Sequence, residues 1–140
     1  MSRILIIEDE RATAAAVKEA LEMDGFQADI AGNGMEGLEL FREREYDLIL
    51  LDLKLPGLSG EEVLRDIRKE DPFISVIVYT NYSNFADIKR LTNIGIDGYI
   101  NKGPGADLDE LVGAIEKKLT PIDDSAIDVL FREFPNDQDN

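Results

Sequence analysis

Unbroken aliphatic runs constrain this chain more than any other feature. Ile4-Leu5-Ile6-Ile7, Leu48-Ile49-Leu50-Leu51 and Val76-Ile77-Val78 carry no polar residue. A strand with one wet face alternates apolar and polar side chains. A strand buried on both faces reads as a continuous run instead. These runs therefore predict a mostly parallel sheet with helices on each side.

The strand candidates are residues 3–7, 26–31, 47–51, 74–79 and 98–100. The second and fifth are more mixed, as edge strands should be. Helical patterns separate them. Residues 10–23 turn Val17, Ala20 and Leu21 inward and close at Gly25. Residues 34–44 turn Leu38 and Phe41 inward. A third helix opens on Ser59-Gly60-Glu61-Glu62, with capping-box spacing, and buries Val63, Leu64 and Ile67. Residues 84–94 place Phe85, Ile88 and Leu91 on one face, with Gly95 as the stop. The last helix is capped by Asp107 and Glu110 and carries Leu108, Leu111, Val112, Ile115 and Leu119 at helical spacing. The pattern is (βα)5. Right-handed crossovers leave few arrangements, of which the flavodoxin-like order 2-1-3-4-5 is the expected one. Ligands in such sheets bind beyond the carboxyl ends of the strands, where the order reverses.

Composition narrows the chemistry. The 140 residues fit one domain and include no cysteine and no histidine. Thiolate chemistry, histidine-based catalysis and histidine zinc sites are excluded, so a metal site must use oxygen ligands. A net charge of −15 argues against direct nucleic-acid binding and against an anionic membrane surface. The first apolar run is too short for a signal peptide or a membrane span, which makes the cytoplasm the expected compartment.

Polar residues end four of the strands. The first runs into Glu8-Asp9, the third into Asp52, the fourth into Thr80 and the fifth into Asn101-Lys102. The expected order brings these ends to one crevice. Three carboxylates that close repel one another without a cation among them. Magnesium suits such oxygen donors and keeps room for a phosphoryl oxygen. With a phosphoryl group present, Asp52 can attack phosphorus, Lys102 can hold an equatorial oxygen, and Thr80 can donate a hydrogen bond. Each residue alone has an ordinary reading: Asp52 as a turn cap before Pro56-Gly57, Glu8 and Asp9 as helix-starting acids, Lys102 as a solvated lysine, Thr80 as a β-branched strand residue. Their convergence favours the chemical reading.

The segments ILIIEDE, LILLDLKLPGLSG, VIVYT and DGYINK together resemble the receiver domain of bacterial two-component response regulators. The resemblance runs from residue 3 to about 119. It implies that Asp9 ligates magnesium directly, Glu8 through water, and Lys54 through its backbone carbonyl. It further implies Asp52 as phosphoacceptor, Lys102 as the phosphoryl-binding lysine, Thr80 as a hydroxyl switch and Tyr99 as an aromatic one. The implied donor is the phosphohistidine of a histidine kinase or phosphotransfer protein, and the implied output is a changed fit for another protein.

The sequence departs from the family pattern in two places. Asn81 stands where a small residue usually follows the hydroxyl, and Gly103 separates Lys102 from Pro104. Lys54 and Tyr82 flank the site and are bulky enough to shield an acyl phosphate from water, which predicts slow self-dephosphorylation.

The domain reads as residues 1–119 and the remainder, 120–140, as a tail. The tail is too short for a DNA-binding or catalytic output domain, so a stand-alone receiver is expected. Within it Ile127, Leu130, Phe131 and Phe134 form a short amphipathic stripe. That stripe can dock on its own domain, or bind a partner or a second copy to give a homodimer. The final residues PNDQDN have a disordered composition. Two other functions compete. One is a phosphorylation-independent adaptor. The other is a magnesium phosphatase resembling the haloacid-dehalogenase family, which needs a second aspartate where this chain has Lys54.

Overall fold

The computed structural model describes residues 2–81, 84–102 and 108–120. Strands β1 (Arg3–Ile7), β2 (Gln27–Ala31), β3 (Leu48–Leu51), β4 (Ser75–Thr80) and β5 (Gly98–Asn101) alternate with five helices. These are α1 (Arg11–Met23), α2 (Gly34–Glu43), α3 (Gly60–Glu70), α4 (Phe85–Ile94) and α5 (Leu108–Leu119). The strands pair in parallel in the order β2-β1-β3-β4-β5, as expected. Ile6 lies opposite Ile30 on one side and Leu50 on the other.

The continuous aliphatic runs have the physical role that they predict. All four residues of β3 are buried. Side chains alternate across the sheet, so one run feeds two cores. Leu5, Ile7, Ile49, Leu51 and Val76 pack with Val63, Leu64, Ile67 and Leu91 on one face. Ile4, Ile6, Leu48, Leu50 and Ile77 pack with Val17, Leu21, Leu111 and Ile115 on the other. Each fully buried Leu or Ile contributes about 1.5–3 kcal/mol.

The helix boundaries follow local chemistry. Asn33 and Ser59 each accept a backbone N–H from three residues on, and Asn84 accepts one from Ala86. Gly95 ends α4 at φ 123°, a backbone angle that side chains with a Cβ avoid. At the foot of the sheet, Arg68 from α3 donates to the carbonyls of Gly95, Asp71 and Ile74 at 2.8, 3.2 and 2.7 Å. It also meets Asp97 at 3.3 Å.

One inward-facing expectation is corrected. Phe85 is 82% exposed, while Leu91 is buried and Ile88 half-buried. At roughly 100° per residue, Phe85 sits about 120° around α4 from Leu91, outside the stripe that faces the core. Strand ends also move by a residue: Phe26, Asp47 and Ile74 precede their strands, and Thr80 and Asn101 belong to theirs. The Asp107 cap, Tyr82, the Gly103-Pro104 loop and the tail lie outside the described residues. Among the described residues, no helix is long and apolar enough to cross a membrane.

Candidate functional site

Three polar residues stand one step beyond a strand and still take part in its ladder. The Glu8 N–H donates to the Ala31 carbonyl at 3.0 Å, the Asp52 N–H to Ile7 at 3.1 Å, and the Lys102 N–H to Thr80 at 2.8 Å. The sheet therefore fixes their backbones while freeing their side chains at its carboxyl edge. A further constraint holds Asp52. The Gly60 N–H bonds the Leu53 carbonyl at 2.9 Å, and a Cβ at Gly60 would lie 2.6 Å from the Leu53 Cα. The first turn of α3 thus rests directly on the backbone that carries Asp52.

The side chains converge on one ammonium. Lys102 Nζ lies 2.7 Å from Glu8 Oε2 and 3.2 Å from Asp52 Oδ2. The remaining carboxylate oxygens accept backbone donors: Glu8 Oε1 from the Glu10 N–H and Asp52 Oδ1 from the Lys54 N–H, each at 3.3 Å. Glu8 and Asp52 are only 5% and 6% exposed. Carboxylates at that depth require such partners. Lys102 also sits over the Tyr79 ring, 5.4 Å from its centroid, a favourable position for a cation.

Electrostatics separate the members. Burial pushes Glu8 up to about 7; the Lys102 hydrogen bond opposes this and the Asp52 charge adds to it. Burial works against the Lys102 charge, but the hydrogen bond to Glu8 and the Asp52 charge outweigh it, and its pKa rises.

The expected site residues come together in part. Glu8, Asp9 and Asp52 each offer an oxygen, all within 4.8 Å of one another. Asp9 is exposed, and with Glu8, Arg11, Asn33, Glu36 and Pro56 it borders a cleft of about 620 Å³. This all-oxygen set, open on one side, suits a hard divalent ion such as magnesium. Thr80 is wholly buried at the end of β4. Tyr99 is half-buried in β5 opposite Val78, and the Lys54 side chain is exposed.

Two contributors were not singled out from the sequence. The sequence pattern assigns Tyr79 only to a strand, although period-2 alternation places it on the face opposite Val78 and against the α1–α5 core. In the sequence Gly60 reads only as part of a cap. The close approach that demands a glycine there has no signature beyond the residue itself.

Comparison with known proteins identifies the family. Residues 4–116 match the model of the response regulator receiver domain. The uncharacterized transcriptional regulatory protein YkoG of Bacillus subtilis is 40% identical over 116 residues, covering 83% of this chain but 50% of YkoG. The chain thus spans about half the length of that relative, and 52% of the Escherichia coli regulatory protein PcoR. Sporulation initiation phosphotransferase F of Bacillus subtilis is 32% identical, covering 84% of this chain and 93% of that protein. Among solved structures, a CheY-like receiver domain protein from Methanospirillum hungatei superposes with a TM-score of 0.80 at 33% identity, covering 85% of this chain and 94% of its own. Response regulator TrrA from Thermotoga maritima, solved in complex with Mg(2+)-BeF, gives 0.76 at 36% identity, covering 85% of this chain and 100% of its own. With the fold, the strand-end residues and these likenesses in agreement, the chain belongs to the response regulator receiver domain family.

Proposed function

We propose that this chain is a phosphorylation-controlled signalling module in which Asp52 accepts a phosphoryl group from the phosphohistidine of a histidine kinase or phosphotransfer protein. The observation that carries this reading is the Lys102 ammonium bridging Glu8 and Asp52 beside the Asp9 carboxylate.

The geometry supports the following chemistry. A carboxylate oxygen of Asp52 attacks phosphorus, a P–O bond forms, and the P–N bond of the donor breaks as its imidazole leaves with the electron pair. Asp52 loses its own charge in becoming an acyl phosphate, and the phosphoryl oxygens carry the negative charge instead. Lys102, already 3.2 Å from Asp52 Oδ2, then pairs with those oxygens. The Lys54 N–H, which now bonds Asp52 Oδ1, keeps the carboxylate oriented. Thr80 supplies a hydroxyl to a phosphoryl oxygen. Asp9, Asp52 and the Lys54 carbonyl are the groups to hold magnesium, with Glu8 acting through water. The ion, when bound, offsets charge on the phosphoryl oxygens.

The module is a switch rather than a turnover enzyme, and its output is altered binding or onward phosphotransfer to another protein. Its cytoplasmic placement belongs to the same reading, because the donor kinases phosphorylate their receivers there. Intact mass after incubation with magnesium and acetyl phosphate, beside Asp52→Ala, tests it. A magnesium-dependent phosphoryl adduct absent from Asp52→Ala is expected. An adduct on both proteins removes Asp52 from its role. No adduct from acetyl phosphate or from a phosphorylated histidine protein favours the phosphorylation-independent adaptor.

A further inference from the structure

A basic groove interrupts this strongly acidic chain. Arg65, Arg68 and Lys69 of α3 face Arg90, Asn93 and Ile94 of α4 across a groove of about 530 Å³. Four of its six lining residues are cations and none is acidic, in a chain with 30 acids against 15 bases. Arg68 is committed to the fold through its three carbonyls. Arg65 and Arg90 share Glu61, at 3.4 and 2.6 Å, and Arg90 also meets Asp87 at 2.6 Å. Both arginines are about half exposed. Surface pairs of that kind contribute little and exchange readily for a competing carboxylate. Below the guanidinium groups, Ile94 and the arginine stems offer apolar surface.

We infer that the chain's own C-terminal segment, residues 121–140, occupies this α3–α4 groove. Three observations lead there. The first is position. The helices run antiparallel to the strands, so α3, α4 and α5 all finish at the foot of the sheet. Lys118 near the end of α5 lies 3.1 Å from Asp97, whose other oxygen lies 3.3 Å from Arg68. Lys118 and Arg68 thus share one carboxylate at the foot of the sheet, where the α5 face meets the α3–α4 face. Asp123, three residues past Thr120, lies within an extended reach of about 10 Å from that residue.

The second observation is charge. The segment carries Asp123, Asp124, Asp128, Glu133, Asp137 and Asp139 against a single Arg132. An acidic peptide suits a lining of arginine and lysine, and bidentate carboxylate pairing favours arginine in particular. The third is the apolar stripe Ile127, Leu130, Phe131 and Phe134. Its aromatic rings match guanidinium faces and the exposed hydrocarbon around Ile94.

The absence of cysteine makes the test clean. Ala126→Cys introduces the only thiol, and a nitroxide attached there reports through paramagnetic broadening on the full-length 15N-labelled chain. Amides of residues 65–69 and 90–94 are expected to lose intensity several-fold. Raising salt to about 1 M, where the screening length falls to about 3 Å, is expected to restore them. So is Arg65→Glu with Lys69→Glu, and so is Asp123→Lys with Asp124→Lys, a pair of changes outside the described residues. Three results overturn the inference. One is no broadening on the domain. Another is broadening centred on α1 and α5. The third is broadening seen only when spin-labelled unenriched chain is mixed with unlabelled 15N chain, which assigns the groove to a second copy. None of these outcomes depends on whether Asp52 accepts phosphate.

Discussion

Replacing Gly60 with alanine should weaken the protein, although the same change inside an exposed helix normally strengthens it. Gly60 is the first residue of α3, and its φ is not in the left-handed region. Alanine there is conformationally free of strain and should add about 0.5–1 kcal/mol through helix propensity. Space decides otherwise. The added Cβ would lie 2.6 Å from the Leu53 Cα and 3.0 Å from the Asp52 carbonyl carbon, with the Asp52 oxygen closer still. Ordinary van der Waals contact needs about 3.5–4 Å. All three neighbours are backbone, and no side-chain rotation relieves them. Either α3 lifts or the end of β3 shifts by most of an ångström. Overpacking of that kind costs about 1–3 kcal/mol, which outweighs the propensity gain and leaves a net loss of roughly 1–2 kcal/mol. For a domain of this size that lowers Tm by roughly 4–8 °C.

Gly113 in α5 is the internal control, because a Cβ there meets nothing within 4 Å. Gly113→Ala should raise stability by about 0.5–1 kcal/mol. Urea unfolding followed by far-ultraviolet circular dichroism measures both. A Gly60→Ala variant as stable as the parent, beside a stabilised Gly113→Ala, would refute the reasoning. The destabilised variant should also form the phosphoryl adduct more slowly under conditions where it remains folded, since displacement of a nucleophile by about 1 Å costs on the order of 100-fold in rate.

Other outcomes follow from the same geometry. Lys102→Gln leaves Glu8 and Asp52 without their shared cation and should slow adduct formation by about 100-fold or more; an unchanged time course by intact mass would remove Lys102 from the chemistry. Arg68→Met strips three carbonyls of a donor, at about 0.5–1.5 kcal/mol each, so urea unfolding should show a loss of roughly 2–4 kcal/mol. Replacing Lys54 and Tyr82 together with alanine should speed decay of the acyl phosphate several-fold, followed as loss of the adduct with time. Decay at the parental rate would show that these side chains do not exclude water.

Much of this architecture was legible because burial writes itself into residue type. Ile4 to Ile7 and Leu48 to Leu51 had to be strands covered on both faces, and their order then brought Glu8, Asp52, Thr80 and Lys102 to one edge. Side-chain partnerships were less legible. Lys102 was expected to await a phosphoryl oxygen, yet it already bridges Glu8 and Asp52. That pairing depends on rotamers and on the depth of Glu8, which no spacing encodes. Phe85 looked like a core residue because it is large and apolar. Its place on α4 relative to Leu91 was what mattered, and α4 buries only Leu91.

The Arg68 cluster gives α4 a fulcrum. One guanidinium ties the Gly95 carbonyl at the helix's end to the starts of β4 and β5 through Ile74 and Asp97. At the other end, the Asp87–Arg90–Glu61 link is a surface bridge. The helix is therefore pinned at one end and loosely held at the other. Among the described contacts of α4, the firmer hold is thus at Gly95 and the weaker one lies on the side of Phe85.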